Sequence, residues 1–155
     1  MHVVVTGSSG LIGTALVKKL SADGHEVTRL VRRTPRPGEA RWNPDDGTIE
    51  TAKLEGANAV VHLAGAGIGE HRWTDDYKRE LVDSRIRSTE LLASTIASLD
   101  RKPTVLLSGS AIGYYGARGD EDLDESSSSG TGFLADLCVR WEAATAAAEA
   151  AGIRV

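Results

Sequence analysis

Three glycines spaced three apart, Gly7, Gly10 and Gly13, follow directly on the β-branched run Val3-Val4-Val5-Thr6. Beyond them Ile12, Ala15, Leu16 and Leu20 recur at helical spacing until Gly24. A strand that turns through glycines into a helix offers the helix's unpaired N–H groups, and its positive dipole end, to whatever lies over the turn. Phosphate suits such a place. The glycines permit the tight turn, the approach of a diphosphate to the backbone, and close packing of helix on strand. The turn Gly7-Ser8-Ser9-Gly10-Leu11-Ile12-Gly13 departs from the strict G-x-G-x-x-G pattern because Ser9 holds the middle position. The strand–turn–helix context therefore carries the reading more than the spacing does. A kinase-type phosphate loop is excluded, since no Lys-Ser or Lys-Thr follows the glycines. Residues 7–13 are the candidate contacts to a dinucleotide.

The end of the next strand selects the cofactor. Val27, Leu30 and Val31 form that strand, and Arg32 and Arg33 follow at once. A carboxylate here would accept hydrogen bonds from the adenosine ribose hydroxyls, whereas a guanidinium fork favours a 2′-phosphate. The pair therefore favours NADP(H) over NAD(H), with Arg32 the first candidate contact and Arg33 the second. It also counts against a methyltransferase, which would want an acid at this place.

These groups need a scaffold, and strand and helix patterns alternate along the chain. Residues 2–6 and 27–31 read as strands, and 39–42 as a weaker one closed by Asn43-Pro44-Asp45-Asp46-Gly47. Residues 59–64 read as a buried strand entering the loop Gly65-Ala66-Gly67-Ile68-Gly69, and 105–107 as a fifth strand. From Trp73 to about Leu99 the pattern is helical, with Tyr77, Leu81, Ile86, Leu91, Leu92, Thr95 and Ile96 turned inward. Ser108 to Gly130 is a long polar loop, of a kind that is usually functional. Residues 133–151 read as one alanine-rich helix, and Ile153-Arg154-Val155 as the opening of a sixth strand. Parallel neighbours need crossover connections, so this order predicts an α/β fold, a Rossmann-type doubly wound parallel sheet with helices on both faces. Residues 1–155 are expected to be one dinucleotide-binding domain, cut in or before its sixth strand and belonging to a protein about twice as long.

Composition narrows the partners. A hydrophobic share of 41% and a charged share of 26% suit a globular domain that folds without staples. The net charge of −4 gives no general attraction to nucleic acid or an anionic leaflet. No apolar run approaches the roughly 20 residues needed to span a bilayer. Cys138 is the single cysteine, so no internal disulfide can form, and the first residues lack the basic start of a signal peptide. A cytoplasmic protein with a small-molecule partner is expected. His2, His25, His62 and His71 lack ligand spacing, so no metal site is expected. The acidic run 120–125 reads as a solvated loop, and Cys138 as a small buried apolar residue.

The motifs Thr6-Gly7-Ser8-Ser9-Gly10-Leu11-Ile12-Gly13, His62-Leu63-Ala64-Gly65, and Ser108-Gly109-Ser110-Ala111 with Tyr115-Gly116 resemble the extended short-chain dehydrogenase/reductase superfamily. More narrowly, Trp42-Asn43-Pro44, Arg72-Trp73-Thr74, Ser84-Arg85, Ser110-Ala111-Ile112-Gly113-Tyr114-Tyr115-Gly116 and Trp141-Glu142 are similar to its atypical epimerase-family branch, often labelled nucleoside-diphosphate-sugar epimerase. The resemblance implies that Leu63, Ala64 and Gly65 border the cofactor and that Ser110 hydrogen-bonds a substrate oxygen. A nucleotide sugar or carbonyl compound is the implied substrate class. The superfamily also uses a tyrosine four residues before a lysine, whose charge brings the tyrosine pKa toward working pH. This chain has no such pair, for the residues four beyond Tyr77, Tyr114 and Tyr115 are Leu81, Arg118 and Gly119. By register with Glu142, the two positions fall on Leu134 and Cys138. Tyr115, or its neighbour Tyr114, with Arg118 as charge partner is the substitute proton donor, which makes Ser110 and Tyr115 the catalytic candidates.

Two functions follow. One is an NADP(H)-dependent oxidoreductase or nucleotide-sugar epimerase, in which the cofactor carries the hydride chemistry. The other, supported by the missing Tyr-x-x-x-Lys, is a catalytically inactive dinucleotide-binding regulatory or interaction protein.

Overall fold

A computed structural model describes residues 1–155. Its strands are β1 (His2–Val5), β2 (Glu26–Val31), β3 (Glu39–Asn43), β4 (Thr48–Ile49), β5 (Ala59–His62) and β6 (Val105–Ser108). They form one sheet in the order β4-β3-β2-β1-β5-β6, parallel at every pair except β3–β4. The expected doubly wound arrangement is present, with helices on both faces.

Alternation along each strand divides the core. Val3, Val5 and Val61 face α1 (Leu11–Ala22), which meets them through Leu16, Val17 and Leu20. Val4, Leu30, Val60 and Leu106 face the other way, onto Leu92, Ala93 and Ile96 of α2 (Asp75–Ser98) and Ala148 of α4 (Ala146–Ala150). Strands buried on both sides need apolar residues at every position, hence the unbroken valine runs. Helix α2 starts at Thr74, whose hydroxyl accepts the Tyr77 N–H at 3.2 Å, and Asp75 and Asp76 in its first turn complement the helix dipole.

Three local expectations need correction. The turn after β3 leads into the short antiparallel strand β4, too brief to leave an alternation pattern. The helix expected over 133–151 breaks into α3 (Phe133–Ala143) and α4, because the Thr145 hydroxyl donates back to the Glu142 carbonyl at 2.7 Å and competes with helical pairing. Ile12 and Ala15 of α1 face outward rather than inward, and Val17 takes the place expected for Ala15. Residues 153–155 lie as expected at the start of a further strand, Arg154 pairing in parallel with Val105 of β6 through a single bridge and Ile153 buried.

Candidate functional site

Strand β1 lies between β2 and β5, so successive strands leave it in opposite directions, and a crevice opens above the carboxyl ends of β1 and β5. In open α/β sheets ligands bind at such a switch point. The glycine turn forms one wall. Gly7 has φ +62°, and a Cβ there would stand 2.5 Å from the Leu63 carbonyl carbon, so the turn packs directly on the backbone leaving β5. A Cβ on Gly13 would overlap the Gly7 carbonyl oxygen, which fixes α1 tightly against the turn. Gly10, the N-cap of α1, carries no side-chain cap, and the first turn holds no acid. Ser8, Ser9, Leu11 and Ile12 complete the turn and the start of α1, with Leu11 92% exposed. Helix-end amides without a protein acceptor, beside residues that keep the backbone bare, make a fitting cradle for a diphosphate.

The opposite wall is Leu63, Ala64 and Gly65. The N–H groups of Leu63 and Ala64 both donate to the Thr6 hydroxyl oxygen, at 3.1 and 3.2 Å. That oxygen lies 2.7 Å from Nδ1 of His62, whose Nε2 lies 3.0 Å from the Thr89 hydroxyl of α2. Trp141 of α3 donates its indole N–H to the same Thr89 oxygen at 3.1 Å. Burial pushes the His62 imidazole down to about 4, so it is neutral at ordinary pH.

The two candidate arginines occupy different situations. Arg33 grips the buried Glu39 carboxylate with both Nη atoms, at 2.6 and 2.7 Å, while Arg29 and the Arg36 N–H each reach it at 2.8 Å. Glu39 is held down to about 2, first by the Arg33 hydrogen bonds. Arg32 is exposed, and no carboxylate pairs with it.

On the far side of β5 lies the loop after β6, which carries Ser110 and Tyr115. Ser110 donates to Glu142 of α3 at 2.5 Å. Tyr115 donates instead to the Asp124 carbonyl at 2.9 Å, and no hydrogen bond joins it to Ser110. Arg118, expected beside Tyr115 as its charge partner, is clasped by Glu121 at 2.7 and 2.8 Å. Gly113 packs on α3, where its Cβ would meet the Leu134 Cβ at 3.4 Å and the Cys138 Sγ at 3.9 Å. Both side chains thus border the loop carrying Ser110 and Tyr115. Cys138 is buried, and burial pushes its thiol up. Arg85 lies 5.1 Å over the Trp141 ring and donates to the Ala66 carbonyl at 2.9 Å. Trp73 bonds the Ile68 carbonyl at 2.8 Å and packs on Phe133, closing the 65–74 loop onto α3.

Residues 3–152 match the NAD dependent epimerase/dehydratase family. The chain belongs to that family. An epimerase family protein of Mycobacterium bovis is 47% identical over 154 residues, covering 99% of this chain and 50% of that protein. This family member spans about half the length of the curated relatives it matches. Among solved structures, the nucleoside-diphosphate sugar epimerase from Corynebacterium glutamicum superposes with a TM-score of 0.86 at 44% identity, over 100% of this chain and 32% of that one. The human epimerase family protein SDR39U1, solved with NADPH, superposes at 0.83 with 36% identity, over 94% of this chain and 48% of that one. The motif resemblance to the epimerase-family branch is thereby borne out.

Several members of the site escaped sequence reading. Glu39, reached by Arg29, Arg33 and Arg36, leaves only the faint signal of one acid among basic neighbours. Ser88 and Thr89 sit among the inward positions of α2 that the apolar pattern marks, and polar residues at such positions were the available hint to a buried network. Glu142 served as a register mark, and nothing in the sequence joined it to Ser110, which lies 32 residues away.

Proposed function

We propose that this epimerase-family chain binds NADP(H) across the crevice and supports oxidoreduction or epimerisation of a small carbonyl or nucleotide-sugar substrate. The observation that carries the reading is the bare turn, with an uncapped helix end at Gly10 and with Gly7 and Gly13 packed so closely on neighbouring backbone that no side chain fits at either. Residues Gly7, Ser8, Ser9, Gly10, Leu11, Ile12 and Gly13 would hold the diphosphate, and Leu63, Ala64 and Gly65 would border the dinucleotide opposite. Arg32 would take the 2′-phosphate, because Arg33 is already engaged by Glu39. NADPH in the human relative's structure supports this choice, whereas the family's general description names NAD. When bound, the nicotinamide supplies or accepts the hydride. Ser110 hydrogen-bonds the substrate oxygen once its hydroxyl turns from Glu142. Tyr115 acts as proton donor once its hydroxyl leaves the Asp124 carbonyl. A reducing cytoplasm suits the free thiol of Cys138.

Replacing Arg32 by Asp should weaken NADPH binding more than NADH binding, and equal loss for both would remove the phosphate assignment. A second reading, a dinucleotide-binding regulator without turnover, is favoured by Leu134 and Cys138 at the expected tyrosine and lysine positions. Following nicotinamide absorbance over a panel of carbonyls and nucleotide sugars separates the two. Tight NADPH binding with no oxidation on any substrate selects the regulator, and full turnover by Tyr115→Phe removes Tyr115 as proton donor.

A further inference from the structure

His62 is a buried titratable group with no part in hydride or proton transfer, and its hydrogen bonds admit one assignment. Thr6 Oγ1 already accepts two backbone N–H groups, from Leu63 and Ala64. Its own hydrogen has one acceptor within reach, Nδ1 of His62 at 2.7 Å. Nδ1 must therefore be unprotonated, which places the ring hydrogen on Nε2. At the other side Thr89 Oγ1 donates to the Arg85 carbonyl at 2.7 Å, leaving lone pairs for His62 Nε2–H at 3.0 Å and the Trp141 indole N–H at 3.1 Å. Ser88 donates to the Ser84 carbonyl at 2.6 Å and can only accept from Nε2, at 3.3 Å. Every donor then meets an acceptor. The other tautomer would put a third N–H onto Thr6 Oγ1 and strand the Thr6 hydrogen in a fully buried place.

The polarity has a direction. The imidazole acts only as acceptor toward the crevice and only as donor toward α2. Its acceptor side orients the hydroxyl that pins the Leu63 and Ala64 amides, and those residues are the backbone against which Gly7 packs. We infer that His62 is a positioning residue for the dinucleotide site: locked as the Nε2–H tautomer, it aims the Thr6 hydroxyl so that the 63–64 backbone stays fixed against the glycine turn. This inference rests on the cofactor reading above. His62 touches no ligand itself. Its two nitrogens are separable by substitution, because an Asn oxygen at position 62 falls near Nδ1 and keeps the acceptor, whereas a Gln amide reaches toward Nε2 and keeps only the donor.

The test compares wild type with Thr6→Ser, Thr6→Val, His62→Asn and His62→Gln, each checked for global stability by urea unfolding. In wild type, imidazole 15N shifts should report a protonated Nε2 and a bare Nδ1. Amide exchange at Leu63 and Ala64 should speed up in Thr6→Val and His62→Gln but be largely restored in Thr6→Ser and His62→Asn. The NADPH Kd should follow the same division, rising about tenfold in the first pair, as the loss of one buried hydrogen-bond anchor implies. Exchange and Kd that track global stability alone, with His62→Asn and His62→Gln alike, would overturn the positioning role, as would the opposite tautomer. The predicted division of exchange protection among the variants, together with a wild type that binds no NADPH, would instead bring down the cofactor reading, and the link to binding with it.

Discussion

Lowering the pH from about 7.5 to about 5 probes the buried imidazole directly, because its protonation is coupled to folding. Burial holds His62 at about 4 in the folded chain, against 6.5 ordinarily. Between those values the unfolded chain binds more protons than the folded one, so stability rises with pH across the window. The contribution is fully present above about pH 6.5 and is lost as pH falls through the window toward 4. Integrated over the two pKa values, about 2 kcal/mol is lost by pH 5 and about 3 kcal/mol by pH 4. The groups packed on the ring are the hydroxyls of Thr6, Ser88 and Thr89 and the edge of Trp42, none of them charged. Urea unfolding of wild type and His62→Asn at several pH values is the assay. The variant has no imidazole to titrate, so its stability deficit at pH 7.5 should narrow by about 2 kcal/mol at pH 5. Carboxylates such as Glu39, held down to about 2, also cost stability as pH falls but cancel in the difference. A deficit that stays constant from pH 7.5 to 5 would refute the reasoning.

Other perturbations have equally definite outcomes. Gly13→Ala pushes a methyl group onto the Gly7 carbonyl and should destabilise by about 2 kcal/mol in urea while weakening NADPH, whereas Gly10→Ala, with 3.4 Å of clearance, should do much less to stability. Arg33→Ala leaves the Glu39 carboxylate without its bidentate partner, so it should lower Tm more than Arg32→Ala does while altering the NADPH-to-NADH affinity ratio less. The Cys138 thiol, buried and pushed up, should resist alkylation at pH 8 in the folded chain and react once urea unfolds it, as mass spectrometry would read.

The parts of this fold visible in the sequence are those with local causes. Val3 to Val5 and Val60–Val61 announce doubly buried strands because every position is apolar, and Gly7 to Gly13 announce the turn because a side chain would collide there. Strand β4 was invisible, since two residues carry no period, and the break at Thr145 depends on a hydroxyl choosing its own helix's carbonyl over solvent. Arg32 and Arg33 look equivalent as letters. They differ only because Glu39, brought alongside by the pairing of β2 with β3, occupies one of them. The pairing of Thr6 with His62 likewise needs β1 and β5 to be neighbours, a contact across 56 residues. Ser110 was marked by motif, yet its bond to Glu142 depends on how α3 packs against the loop that follows β6.

The most direct measurement is a crystal structure of this chain soaked with NADPH. Electron density for the diphosphate on the amides that open α1, with the adenosine 2′-phosphate against Arg32, is the predicted result. Density for the nucleotide elsewhere on the sheet, or an empty crevice at a saturating concentration, would contradict the account.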